Sequence, residues 1–581
     1  MARRTILLNC TVRTMDPARP EASAVGIEGD RIQFVGSEDG ALRWGGARAR
    51  RLELAGATVL PGFIDCHAHF LSMGVWRNRL DLSGARSEDE VLRLVRARAR
   101  RTPKGKWILG RGWDESGWPG RRYLERGELD KAAPEHPVLL VRVCGHMCAV
   151  NTRALRILRG RLRGRRWRWR EGGCRGQAGH GTNACEEWEV DSGAGLLRER
   201  AMESALELVR PDGKEMEAGL RIAISMAHRM GVTSVHDIVD VEKVRAYRRA
   251  QREGWLGVRA CLHLELPEWG HHRRLRGASD LQTPFLRLGG IKLYADGSIG
   301  ARTAALSEPY ADEAGNRGLL LHSTQMLVGT VRRAERERVQ LLVHAIGDRA
   351  VERVVSAFSE GLKTVGTGRA RPLGLEASSG SVISAAGPSG GSGGDAFGPG
   401  PGGPVSGLRH RIEHLELVGG PQLKQMRGLG LWACMQPNFI GEWGLPGGMM
   451  EARLGERYRE ADPLWRVFDA GVPLIFGSDC MPFGPLYGIH CAVSAPFEAQ
   501  RLTVEEAVAA CTRTAAAASF EEDFKGTITV GKAADLVVLS GDPFREPAKI
   551  KDMRVGATII NGRVVWRSRS RPGSERAGES G

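Results

Sequence analysis

A chain of 581 residues, 42% of them hydrophobic, is long enough for a large core and at least two domains. No apolar run approaches the ~20 residues that cross a bilayer, and the opening Met1-Ala2-Arg3-Arg4 leads into too short an apolar segment for a signal peptide, so a cytoplasmic protein with no membrane partner is expected. The formal net charge of +16 raises nucleic acid as a partner, but a solvated Arg-rich insertion at 153–170, around Trp167 and Trp169, and a basic tail at 567–571 account for much of it, so nucleic acid is not the expected ligand.

The first elements read as short strands at 6–10, 24–28, 31–35 and 51–53, with Gly29-Asp30 suited to a tight hairpin turn. The apolar run 59–65 is the next strand and ends in Asp65-Cys66-His67-Ala68-His69. A β-then-α rhythm follows, with further strands at 233–236, 258–264, 291–294, 341–344, 410–414, 432–435 and 474–477 and helical patterns such as 216–230 and 325–338. Eight strands of this kind predict an α/β fold, a (β/α)8 TIM barrel. Two segments break the rhythm. Residues 76–230, which include the strand-like 138–143, are far longer than a usual βα connection and read as a cap insertion. Residues 366–407, rich in Gly, Ser, Ala and Pro, bury too little to offset chain entropy and read as a disordered insertion. At the far end 535–539 and 555–565 are again β, with Asn561-Gly562 as a hairpin turn. The expected domains are therefore 1–57 and 526–566, forming one small composite β-sandwich, a barrel over 58–525, and a disordered basic tail at 567–581.

Candidate ligands recur at the ends of these strands. Residues i and i+2 of a strand share a face, so His67 and His69 project together into the barrel mouth. Lys292 lies among apolar neighbours, His344 ends the fifth strand, His414 the sixth, and Asp479 follows the eighth. Barrel closure gathers such positions around one opening. As an ammonium Lys292 repels a cation; as the carbamate formed with CO2 it is an anion able to bridge two. A nitrogen and oxygen donor set without thiolate suits one or two divalent ions, Zn2+ first, with Mn2+ or Fe2+ as alternatives. Asp479 is the candidate proton carrier and weak metal ligand, and His146 a candidate polariser of the substrate carbonyl. His236 and His263 are each compatible with a catalytic, supporting or structural place. Strand alternation turns Cys480 away from Asp479, and the 11 cysteines, scattered without a Cys-x-x-Cys pair, read as reduced thiols.

These motifs together resemble the amidohydrolase superfamily, in its amidohydrolase 3 branch, which includes YtcJ-like proteins and N-substituted formamide deformylases. The matching stretches are Pro61-Gly62-Phe63-Ile64-Asp65-Cys66-His67-Ala68-His69, Gly110-Arg111-Gly112-Trp113-Asp114, Gly145-His146 with Asn151, and Lys292-Leu293-Tyr294-Ala295-Asp296-Gly297. They continue through His344-Ala345-Ile346-Gly347-Asp348, Arg411-Ile412-Glu413-His414, Gly477-Ser478-Asp479 and the 526–539 return. The resemblance implies that His67 and His69 bind the more buried metal, carboxylated Lys292 bridges, His344 and His414 bind a second ion, and Asp479 transfers the proton. It implies hydrolysis of an amide, N-acyl or N-formyl C–N bond, other than a peptide bond, in a small-molecule substrate. The alternatives are a cyclic-amide or ester hydrolase, or a catalytically inactive regulatory or nucleic-acid-binding protein. A homo-oligomer is compatible with either reading.

Overall fold

The computed structural model describes residues 4–115, 118–120, 122–143, 147–162, 169–170, 190–363 and 406–568. His146, the expected disordered insertion apart from Ser406 and Gly407, and the tail beyond residue 568 lie outside the described residues. The chain divides into two compact units, Met1–Phe70 with Ile224–Gly581, and Leu71–Ala223.

The first unit holds the barrel. Its eight strands are Phe63–Ala68, Val232–Val239, Arg259–Glu265, Leu286–Tyr294, Leu341–Ala345, Arg411–His414, Trp432–Met435 and Leu474–Phe476. Each pairs in parallel with its neighbour in chain order, from the first strand to the eighth. The ring is joined by the Asp479 amide donating to the His67 carbonyl at 2.8 Å. Asp65 adds to this closure: its carboxylate accepts from the Ser478 amide at 3.0 Å and the Ser478 hydroxyl at 2.5 Å. A Cβ on Gly477 would fall 2.3 Å from the His67 Cβ, so only glycine lets the eighth strand pass the first at that point.

Amphipathic helices cover the ring. Thr324–Glu337 buries Leu327, Val328, Val331 and Ala334 at helical spacing, starts where the Ser323 side chain accepts from the Met326 amide, and ends at Arg338 in the left-handed region, φ 53°. Ile64 and Cys66, alternating with the inward residues of the first strand, pack on Ala515 to Ala518 of the last helix.

The two chain ends build one eight-stranded mixed sheet, ordered Arg563–Arg567, Val555–Ile560, Leu536–Leu539, Arg50–Pro61, Arg4–Arg13, Ala24–Glu28, Arg31–Gly36, with Glu21–Ala22 beside Arg4–Arg13. The hairpin turn at Asn561-Gly562 has φ 54° and 73°, as a two-residue turn of primed type requires. The expected strand over 59–65 is corrected here. Val59 and Leu60 end the long strand of this sheet, paired with Val538 and Val537, and the barrel strand begins only at Phe63. Pro61-Gly62 is the crossing point: Gly62 donates its amide to the Asp535 carbonyl at 2.8 Å, and a Cβ there would lie 2.3 Å from the Thr233 side chain.

The second unit carries a seven-stranded sheet that includes Ile108–Trp113, Val138–Arg142 and Met147–Val150. Buried Trp113 donates from Nε1 to the Leu140 carbonyl at 2.9 Å. Asn151 is structural: its Oδ1 accepts from Val138 and Ala154 amides, both at 3.0 Å, and its Nδ2 donates to the His136 carbonyl at 2.8 Å. No helix among the described residues is long and apolar enough to cross a membrane.

Candidate metal centre

Six of the candidate residues meet at the C-terminal ends of the barrel strands. His67 Nε2 lies 3.8 Å and His69 Nε2 3.4 Å from Asp479 Oδ1. The His67 and His414 rings are 4.8 Å apart between centroids, and those of His344 and His414 4.5 Å. Donor atoms of His67, His414 and Asp479 all fall within 4.8 Å of one another. Lys292 is fully buried on the fourth strand, with Nζ 5.0 Å from the Tyr294 ring, and its charge acts on His67, His344 and His414.

Backbone conformation places two of these side chains against the simple alternation of a strand. Glu413 and His414 are consecutive, yet Glu413 bonds His67 while His414 packs on the same ring. His414 has φ 74° and Leu415 φ 52°, which turn the end of the sixth strand toward the mouth. Asp479 and Cys480, at φ 50° and 61°, do the same past the eighth. Such conformations cost about 1–3 kcal/mol each and persist where surrounding structure enforces them, most often at functional sites.

Three of the imidazoles have one nitrogen already engaged. His67 uses Nδ1 on Glu413 Oε2. His414 donates from Nδ1 to Gln436 Oε1 at 2.7 Å, and His344 from Nε2 to the Gly297 carbonyl at 3.0 Å. A carboxylate and a backbone carbonyl only accept, and the amide oxygen of Gln436 likewise, so these bonds assign the protons and leave lone pairs on His67 Nε2, His414 Nε2 and His344 Nδ1. His69 remains 39% exposed.

Burial, with the Lys292 charge adding to it, brings His67 down to about 4 and His344 to about 3, so both are neutral near pH 7 and able to bind a metal. Burial lowers Lys292 to about 8 and pushes Asp479 up to about 7, against the opposing pull of Lys292. Lys292 Nζ and Asp479 Oδ1 are both buried without a hydrogen-bond partner among the described residues. An unpaired buried ion is costly, and a cation held by Asp479 together with neutral imidazoles would relieve it.

A second donor cluster, His67 with Glu413 and Cys434, is already satisfied. Arg411 donates to Glu413 Oε1 at 2.7 Å and Oε2 at 2.9 Å, and the Cys434 thiol bonds the same carboxylate. Burial alone would raise Glu413; the Arg411 guanidinium and His67 hold it well below the usual range. A cation would have to displace that guanidinium, so the donor set that fits one is His67, His414 and Asp479 with the neighbouring His69, His344 and Lys292.

The family model described as Amidohydrolase family matches residues 52–388 and 402–566. The chain belongs to the amidohydrolase family. Among relatives, the YtcJ protein of Bacillus subtilis is 28% identical over 577 residues, covering 93% of this chain and 97% of that protein. The N-substituted formamide deformylase of Arthrobacter pascens is 24% identical over 591 residues, covering 96% and 98%. A solved structure described as an uncharacterized metal-dependent hydrolase from Pyrococcus furiosus superposes with a TM-score of 0.71 at 25% identity, covering 93% of this chain and all of that one. The family and the barrel both agree with the resemblance drawn from the motifs.

Within this amidohydrolase, the histidines left open by the sequence are placed as follows. His236 accepts at Nδ1 from Arg411 Nη1 at 3.0 Å, and His263 accepts at Nδ1 from the Gly290 amide at 2.8 Å. Both are 1% exposed, and burial holds both well below the ordinary histidine range. They lie on the second and third barrel strands with ring centroids 5.6 Å apart. Gln436 was not named from the sequence, and Arg411 and Glu413 entered only as part of a matching stretch, with no role assigned. The available signal was Arg411-Ile412-Glu413, two opposite charges at i and i+2 of a strand otherwise buried, which must pair inside the barrel.

Proposed function

We propose that this amidohydrolase is a metal-dependent hydrolase that cleaves an amide, N-acyl or N-formyl C–N bond other than a peptide bond. The observation that carries the reading is Asp479 Oδ1, a buried carboxylate oxygen without a hydrogen-bond partner among the described residues, facing His69 Nε2 at 3.4 Å and His67 Nε2 at 3.8 Å. In this reading His67, His69, Lys292, His344 and His414 hold one or two divalent ions, with Asp479 as a weak further ligand; Zn2+, Mn2+ and Fe2+ suit such donors. When bound, such an ion would lower the pKa of its water to about 7 and polarise the substrate carbonyl.

The remaining tasks fall to the chain. Glu413, Gln436 and Gly297 keep three imidazoles turned with their lone pairs free. Burial of Lys292 favours the neutral amine, which is the form that adds CO2, and the carbamate so formed replaces a repelling ammonium with an anion. Asp479, whose carboxylate faces His67 and His69 at the strand ends, is in this reading the group that takes a proton and returns it to the leaving nitrogen. Similarity to a protein named for deformylation of N-substituted formamides supports a C–N bond in a small molecule as the target.

The test is a hydrolysis screen of N-acyl, N-formyl, lactam and ester compounds with metal content measured on the same preparations. Asp479→Asn keeps the shape of the side chain and removes the base, so near-normal metal content with turnover reduced about 10²–10⁴-fold is expected. His67→Ala should lose metal and rate together. Full turnover by metal-free protein would overturn the proposal.

A further inference from the structure

We infer that Glu413, clamped by Arg411, is a positioning residue that fixes His67 in the Nδ1–H tautomer and thereby sets how tightly the centre holds its cation. The inference rests on the proposed reading of His67 as a metal ligand.

Three acceptors orient the three histidines, and only one is charged. His414 faces the neutral amide of Gln436 and His344 the carbonyl of Gly297, whereas His67 faces the Glu413 carboxylate. A carboxylate behind an imidazole makes its other nitrogen a stronger donor, so His67 differs in kind from the other two. Left alone, a carboxylate one ring away from a cation would itself compete to bind it. Arg411 prevents this. Its Nε donates to Oε1 and its Nη2 to Oε2, so both oxygens are occupied and the charge is balanced without removing the acceptor that His67 uses.

The guanidinium is fixed in turn. Nη2 also donates to the Cys66 carbonyl at 2.6 Å, on the first strand beside His67, and Nη1 to His236 Nδ1 on the second. Arg411, Glu413, His67 and His236 are all at most 1% exposed. The clamp therefore ties the sixth strand to the first and second at the level of the ligand. A packing role alone would be met by an ion pair that never touched His67.

The tautomer can be read on the metal-free wild type. Nitrogen-15 histidine spectra, with His67 assigned by loss of its signal in His67→Asn, should place the proton on Nδ1. A proton on Nε2 would overturn the inference whether or not any variant folds. Glu413→Gln should raise the metal dissociation constant, measured by chelator competition, about 10–100-fold. Because that change strands Arg411 in the interior, it will also weaken the fold. The double variant Arg411→Gln with Glu413→Gln removes both charges and should recover much of the thermal midpoint while its affinity stays 10–100-fold weak. Wild-type affinity in either variant would overturn the inference and reduce the clamp to packing. Metal content in His67→Ala equal to that of the wild type would instead sink the proposed function, so the two failures are distinguishable.

Discussion

A carboxyl oxygen buried without a hydrogen-bond partner is costly to desolvate, and Asp462 Oδ2 is such an atom among the described residues. Asp462 is 1% exposed, and burial pushes it up to about 7. Glu416, 3% exposed, is likewise raised well above its usual range, first by burial and then by the Asp462 charge. For a carboxyl whose folded pKa exceeds its unfolded one, the folded state binds the extra proton, so its contribution is favourable at low pH and is lost as pH rises toward 7. Asp462→Asn should therefore raise the thermal midpoint above pH 7, with the advantage over wild type shrinking as pH falls from 7 to 4. A gap independent of pH would show that the Asp462 carboxyl titrates in the folded protein as it does in the unfolded chain. At this scale the sequence carried the ligand types, because a histidine, lysine or aspartate at the end of an apolar strand is visible in one dimension. It did not carry their orientation. The partner of His67 Nδ1 is 346 residues away, and the positive φ of His414 depends on the strand ends around it.

Between elements, the joint that matters most links the barrel to the sheet made by the chain ends. Arg259, on the third barrel strand and 2% exposed, donates to Asp535 Oδ2 at 2.5 Å and Oδ1 at 3.0 Å, just before the strand Leu536–Leu539. It also reaches Asn561 Oδ1 at 3.2 Å in the hairpin turn. Removing one partner of a buried pair leaves the other charge uncompensated, typically costing about 3–5 kcal/mol. Asp535→Ala should lower unfolding free energy by that order in urea titrations, without changing the metal content of whatever remains folded. A change under 1 kcal/mol would mean that water reaches Arg259. Seven of the eight barrel strands could be located from apolar runs and the helical patterns between them. The first was misplaced because 59–65 is one continuous apolar run, and only Pro61-Gly62 inside it marks the passage from one sheet to the other.

Over the whole molecule, the chain is interrupted most sharply by the Gly-, Ser- and Pro-rich stretch between the helix Asp348–Lys363 and the sixth barrel strand. Ser406 belongs to the folded part: it is buried, and its Oγ accepts from the Leu408 amide at 3.1 Å. Replacing 367–405 by a short Gly/Ser linker, with Ser406 kept, should leave turnover within a few-fold, since the entropy of closing a loop changes slowly with its length. A large loss of turnover with the thermal midpoint unchanged would assign that stretch a part in the reaction. Amino-acid composition is enough to set that stretch apart from its neighbours, whereas the division at Leu71–Ala223 depends on contacts that no composition records.

The ring closed between Asp65 and Ser478, and the sheet closed between Arg50–Pro61 and Leu536–Leu539, have a consequence on the ribosome. Pro61 is synthesised long before Leu536, and at about 5–20 residues per second the interval is on the order of half a minute to a minute and a half. Throughout it the strand Arg50–Pro61 has one edge without its final neighbour, and Val59 and Leu60 lie on that edge. An open apolar edge is a template for pairing with other chains. Nascent copies crowded on one message should therefore be most vulnerable to aggregation in this window, and a chaperone that holds the first 70 residues should raise soluble yield more than one acting after release.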